Sequence, residues 1–371
     1  FLNKLMKNFL VTTPIKESYN ALKKNVFLGS WCFTKTPQDI KKNKVIHYHW
    51  SDRKKFKKDS FYIDKIAKKF CNILSKNLNR IHNLNEDYKY WELLIYPWTH
   101  HYVSSMYDRW EIINTFLKKN HKNKISTYQL KIDERNFAPK NHLGFIENTF
   151  NDTWNHLVFV RIIKFLKLKN VNIIKKNCKN LDINKGFEYQ KEKKGFFYYL
   201  IFIYELLFSK LAFRYNKIIL ESFSFPTKEF LQILRQNLIF PALYKNLFED
   251  IGNKKDWNFE KRKMIFSNLS KEKYKDKFFC FLIENLIYDF PISYLENFLK
   301  IRDRMMKLAN KKKLIISMRS WNYNDQFKIC VAELVKKNSE YFTCEHGGGL
   351  VGEYMNLNNY TGKIVNHIHY D

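Results

Sequence analysis

The sequence predicts an α/β protein rich in helix and built on parallel strand–helix–strand units. Three observations carry that class. Short apolar runs at Asn8–Thr13 and Asn25–Cys32 meet Pro14 and a bend at Gly29, as inner strands of a parallel sheet do. Two long segments are helical: Ile63 to Ile81 keeps a period near 3.6 residues, and Asp87 through Trp110 is apolar nearly all round. Near the C-terminal end, Lys313–Met318 reads as a strand and Asp325–Lys337 as a helix with Phe327, Cys330, Val331 and Leu334 at helical spacing. Tyr341–Cys344 then reads as a strand that runs into His346-Gly347-Gly348-Gly349. That order is a βαβ unit, whose ligand sits at the carboxyl ends of the strands.

The remaining elements follow in order. Between the second strand and the first long helix lies His47-Tyr48-His49-Trp50-Ser51-Asp52-Arg53, a dense polar and aromatic loop. Asn83-Leu84-Asn85 closes the first helix, and Pro97 is expected to kink the second. Trp154–Leu166 reads as an amphipathic helix, Val171–Ile174 as a strand, and Lys175–Lys194 as a polar surface excursion. Phe196–Phe208 is the most apolar run. It falls short of the ~20 residues that span a bilayer and contains Glu205, so it is expected to be a core helix continuing to Phe213. Lys217–Glu221 reads as a strand, and Pro226 opens a short helix. Lys271–Tyr288 and the segment from Pro291 to Leu308 are helical. The domain boundary is expected at Asn310–Lys312, dividing residues 1–310 from 311–371. The second part is too short for a whole domain, so the chain is expected to be the N-terminal part of a longer protein.

Composition narrows the function classes. With 45% hydrophobic residues, the 371-residue chain is globular, not disordered. Its formal net charge of +30 suggests an anionic partner: nucleic acid, a membrane surface or a phosphorylated substrate. Richness in Lys, Asn, Ile, Phe and Tyr together is also the mark of an AT-rich coding sequence, which accounts for part of that charge. The cysteines are widely spaced with no C-x-x-C, so they read as buried free thiols of a reducing compartment. Lys4 and Lys7 interrupt the N-terminal apolar stretch, so it is not read as a secretory signal, and a cytoplasmic location is expected.

Two places carry candidate chemistry. Amides at Gly347, Gly348 and Gly349 can converge on an anion, because glycine permits close backbone approach. The same residues also read as a plain tight turn. The apolar helix holds His100, His101, Asp108 and Arg109, which must find partners or ligands. His47/His49 and His367/His369 are H-x-H pairs, but no Cys or carboxylate completes a ligand set at usual spacing, and no metal is predicted.

Several motifs, in order, resemble a family of bacterial transferases found with surface-carbohydrate gene clusters of the O-antigen or capsule type. They are Leu28-Gly29-x-Trp31-Cys32, Trp50-x-Asp52-Arg53, and Tyr90-Trp91-x-x-Leu94-Ile95-x-Pro97-Trp98-x-x-His101-Tyr102. Tyr107-Asp108-Arg109, Pro291-x-x-Tyr294-Leu295-Glu296 and His346-Gly347-Gly348-Gly349 follow. The resemblance implies a GT-B-like fold with two Rossmann-like halves, the donor in the second. Here Glu345 stands where the family has Gln, and Leu350-Val351-Gly352 replaces Gly-Tyr-Gly. A carboxylate at 345 would repel a donor phosphate.

The resemblance implies sugar transfer from a nucleotide-sugar donor to a glycan or lipid-linked acceptor, without a metal cofactor. His346 and Gly347–Gly349 would hold the donor phosphates. Asp52 and His101 are the candidate general bases, and Arg53, Arg109, Trp98 and Asp108 the acceptor or anion contacts. Peripheral contact with the anionic inner face of a membrane fits the charge. A basic nucleic-acid-binding protein is the rival reading, though no known module motif appears. An inactive truncated transferase is the other.

Overall fold

Two parallel sheets organise the chain. The computed structural model describes residues 8–33, 44–120, 123–178, 195–221, 227–249, 253–270, 274–310, 312–318, 320–344 and 366–368. The first sheet contains β1 (Asn8–Val11), β2 (Asn25–Phe27), β3 (Lys44–Val45), β4 (Ile125–Lys131) and β5 (Val171–Asn177) in the order β3-β2-β1-β4-β5. Leu10 pairs with Val26 and Asn8 with Ile125, so β1 is central. The chain runs outward from β1 to β3, then returns to the other side of β1 as β4. That reversal makes a topological switch point.

The second sheet is β6 (Ile218–Glu221), β7 (Leu314–Ser317), β8 (Glu340–Cys344) and β9 (Asn366–Ile368), in that order and all parallel. Ile219 pairs with Ile315, so the second sheet takes its first strand from well before residue 310. A four-residue strand paired with a segment so far along the chain leaves no local mark of its partner.

Helix α1 (Arg53–His82) begins where Asp52 accepts hydrogen bonds from the Lys54 and Lys55 amides at 2.9 and 3.2 Å. It ends at Asn83, whose φ of 52° is the left-handed conformation that Asn tolerates as a C-cap. Helix α2 (Tyr88–Asn120) packs along α1, is buried over most of its surface, and carries Pro97 within its span. Short α3 (His142–Thr149) and α4 (Asp152–Phe165) follow β4. The chain continues through α5 (Phe196–Tyr215), α6 (Thr227–Gln236), α7 (Phe259–Ser270), α8 (Lys277–Asp289), which packs back on α1, α2 and α4, then α9 (Phe298–Leu308), α10 (Ser320–Tyr323) and α11 (Asp325–Lys336) of the second lobe. The βαβ unit β7-α11-β8 lies where the sequence places it.

Helix α5 is not the core helix its hydrophobicity suggests. Among its described side chains, Glu205, Ser209, Ala212 and Phe213 turn inward, while Ile203, Leu206 and Leu207 are 52, 62 and 64% exposed. Apolar composition predicts burial only where another element is available to cover it. The described helices include none long and apolar enough to cross a membrane. Cys32, Cys71 and Cys330 are buried free thiols, and burial pushes the Cys32 thiol up to about 12.

One hydrophobic core runs through both lobes, from Leu10 to Tyr341. Ion pairs are embedded in it. Arg262 has a fully buried side chain and grips Glu296 through Nε at 2.6 Å and Nη2 at 2.7 Å, while its Nη1 donates to the Phe290 carbonyl. Removing one member of such a pair strands the other charge. Arg262→Met should therefore cost about 3–5 kcal/mol in urea denaturation, and adding Glu296→Leu should recover most of that loss.

Candidate functional site

The site grows from the carboxyl ends of β1, β2 and β3, where the sheet's switch point opens. Thr13 follows β1, Trp31 follows β2, and Tyr48 follows β3. Together with Asp108 and Arg109 of α2, and Asp152 of α4, they line a cleft of about 240 Å³. Gly29 is required by close approach. A Cβ there would fall inside the Trp31 ring, whose Nε1 donates to the Thr12 carbonyl at 3.2 Å.

Asp108 is bonded through both of its carboxylate oxygens. Its Oδ1 accepts from the Tyr48 hydroxyl at 2.9 Å and from His49 Nε2 at 3.1 Å, and its Oδ2 from Arg109 Nη1 at 3.0 Å. Burial alone would raise the Asp108 carboxyl. The His49 hydrogen bond, the Arg109 charge and the Tyr48 hydrogen bond outweigh it and hold the group below its ordinary range, so it is a carboxylate at neutral pH. Burial and the Asp108 charge push the Tyr48 hydroxyl the other way, so it stays a donor.

Arg109 is aimed by the α3–α4 junction: its Nε donates to Asn155 Oδ1 at 3.0 Å and its Nη2 to the Thr149 carbonyl at 3.1 Å. Asn151 caps α4 by accepting from the Thr153 and Trp154 amides. Behind the cleft, Asp59 accepts from Trp50 Nε1 at 2.9 Å and from the Tyr107 hydroxyl at 3.1 Å, and Lys55 bridges Asp59 to Glu111. Trp50 and Tyr107 thus anchor the loop and helix that present His49 and Asp108. Thr12 Oγ1 and His156 Nδ1 share a hydrogen bond of 2.7 Å, and burial lowers His156 to about 4, leaving the ring neutral.

The structure brings together Asp108, Arg109, Trp31 and Tyr48 from the motifs read in the sequence. It does not bring in the others. Asp52 is exposed and caps α1; Arg53 is exposed with its guanidinium 5.8 Å from the Phe56 ring centroid. Trp98 is fully buried and stacks on Tyr102 at 4.9 Å, so no acceptor reaches it. His101 shares a 2.8 Å hydrogen bond with His142 in a different network. Burial, with the His100 and Lys328 charges nearby, drives it down to about 3, which makes it a weak base. His346 and Gly347–Gly349 lie outside the described residues, just past the carboxyl end of β8. No group of three or more His, Cys, Asp or Glu able to hold a metal occurs among the described residues.

Sequence reading missed Asp152, Asn155 and Thr149. The signal was present in Asn151-Asp152-Thr153, a helix-start signature ahead of an apolar run. It also missed His142 and Lys328 as the partners that occupy His101.

The chain is thus a parallel α/β protein with an ionised carboxylate and a fixed guanidinium at the switch point of its first sheet. The chain belongs to a transferase family: the profile described as LIC12162 family transferase matches residues 8–368. No curated protein and no solved structure matches it.

Two outcomes test this geometry. The depressed Asp108 carboxyl means that the folded state binds fewer protons than the unfolded chain below the ordinary carboxylate value, ~3.9. Its stabilisation is complete above that value and drains away as pH falls through the folded one. Asp108→Asn should lower stability at pH 7 by about 1.5–3 kcal/mol and flatten the acid limb of Tm against pH. Gly29→Ala should displace the Trp31 indole. The Trp31 N–H resonance, identified by its loss in Trp31→Phe, should move toward the solvent-exposed position.

Proposed function

We propose that the chain is a glycosyltransferase of GT-B-like build that moves a sugar from a nucleotide-sugar donor to a surface-polysaccharide or lipid-linked acceptor. The observation that carries this reading is the cleft, in which an ionised Asp108 and a forked Arg109 face Trp31 and Phe150. Carboxylates accept from sugar hydroxyls, and aromatic faces cover the apolar C–H surfaces of a sugar ring. The fixed guanidinium suits an acidic sugar or phosphate group on the acceptor. The first lobe is then the acceptor side.

In this reading the acceptor hydroxyl oxygen forms a bond to the anomeric carbon. The bond from that carbon to the donor phosphate oxygen breaks, and the nucleotide leaves with the electron pair. The hydroxyl proton passes to Asp152, which lines the cleft; Asp52 is occupied in capping α1, and His101 lies in another network. Asp108 orients the acceptor. The amides of Gly347–Gly349, with His346, hold the leaving phosphate at the end of β8. Family membership supports the transferase class.

The test is acceptor-dependent nucleotide release from a panel of nucleotide sugars, with the glycosylated product read by mass spectrometry. Asp152→Asn should lower kcat by about 10²–10⁴-fold while the protein stays folded, and Arg109→Lys should chiefly raise KM for an acidic acceptor. Unchanged turnover in folded Asp152→Asn would remove the assigned base. No release from any nucleotide sugar would remove the donor class.

A further inference from the structure

The outer surface of α5 is unlike the rest of the molecule. Leu200, Ile201, Phe202 and Ile203 are consecutive and all exposed, so the helix shows apolar side chains on every side at that level. Leu206, Leu207 and Leu211 carry the surface onward. Phe240 and Leu243, both exposed, extend it from the segment after α6, where the Tyr204 ring stacks on Phe240 at 6.3 Å. Single exposed leucines are ordinary, whereas a contiguous apolar surface marks an interaction site.

The charges around this surface are sorted by sign. Glu205, the one acidic residue of α5, turns inward and accepts from the Leu243 amide at 2.6 Å. Lys210 and Arg214 are exposed on the same helix, and Lys217 is exposed just beyond it. An apolar face with exposed Lys210, Arg214 and Lys217 beside it matches a lipid surface whose headgroups are anionic and whose interior is hydrocarbon. The whole chain, at +30, is drawn toward such a surface, while two copies of it repel each other. No described helix, α5 included, is long and apolar enough to span a bilayer.

From this sorting we infer that α5 docks the protein on an anionic bilayer. Leu200, Ile203, Leu206 and Leu207 enter the boundary between headgroups and acyl chains, and Lys210 and Arg214 lie at the phosphate level with their stems along the apolar layer. The inference rests on exposure and charge and is independent of the sugar-transfer reading.

The experiment is sedimentation of the full chain with vesicles of phosphatidylcholine alone and of phosphatidylcholine with phosphatidylglycerol, at low and high salt. Binding to the anionic vesicles, weakened by salt, is expected. Lys210→Glu/Arg214→Glu should weaken it by roughly tenfold or more. Leu206→Glu/Leu207→Glu should abolish it with no loss of Tm, because both side chains face solvent, and Leu22→Glu on a distant exposed site should bind as the parent does. Equal binding by Leu206→Glu/Leu207→Glu, or no binding to either vesicle by the parent, would overturn the proposal. So would a dimer in analytical ultracentrifugation that the same double variant dissolves, since the face would then be covered by a second copy.

Discussion

Lys328 lies in the interior, and an ammonium withdrawn from water is tolerated only when paired and hydrogen-bonded. Its partners decide how the two lobes meet. Asp325 sits 3.0 Å away on the same helix, the Tyr294 hydroxyl accepts at 2.7 Å, and His142 Nδ1 is 3.3 Å away. Asp325 in turn accepts from the Tyr294 and Ser293 hydroxyls and from the His142 amide. These residues come from α11, from the turn before α9, and from α3. Satisfying one buried pair therefore sets three elements in mutual register. Burial lowers the Lys328 pKa, and the Asp325 charge works against that shift. The same device recurs nearby: Arg302 lies between Glu333 and Glu86, and Arg161 between Asp289 and Glu134. Well-packed apolar residues often match such pairs in stability, so what the pairs contribute here is a defined geometry between elements that a hydrophobic core alone would leave free to slide.

Helix α2 carries that geometry to the cleft. Near its start, the Tyr90 hydroxyl donates to Glu333 of α11, fastening the helix to the second lobe. Farther along, Asp108 and Arg109 enter the cleft of the first. At 1.5 Å per residue these points are roughly 27 Å apart along one rod. The rod packs on α1, α4 and α11. This is the sense in which the buried junction and the exposed cleft form a single construction.

What could be read from sequence was what local physics determines. Strands β1 and β2, helix α1 with its Asn83 cap, and the β7-α11-β8 unit were legible because periodicity, caps and glycines act over a few residues. The pairing of β6 with β7 was not, since Ile218 and Leu314 meet only in the folded chain. Helix α5 was misread because hydrophobicity states what a residue prefers and says nothing of whether a covering element exists. Among the site residues, Asp108 and Arg109 stood out as charges on an apolar helix. Asp52 stood out equally, yet its carboxylate serves the first amides of α1. A polar residue ahead of a long helix is in place to satisfy the first backbone donors.

The Asp108–Arg109 contact shows why such motifs need the fold to interpret them. Adjacent residues on a helix point about 100° apart, so a neighbouring Asp and Arg have no reason to meet through the helix alone. Here the guanidinium is drawn back toward Asp108 because its Nε and Nη2 are held by Asn155 and the Thr149 carbonyl. Those two acceptors are placed by the turn from α3 into α4, whose Asn151 cap fixes the start of α4. Asp108 for its part is held on the opposite side by Tyr48 and His49, from the loop that follows β3. A dipeptide that reads as a simple charge pair is thus clamped between two loops from opposite halves of the first sheet. The cleft at the switch point between those halves takes its charge and its shape from that clamp.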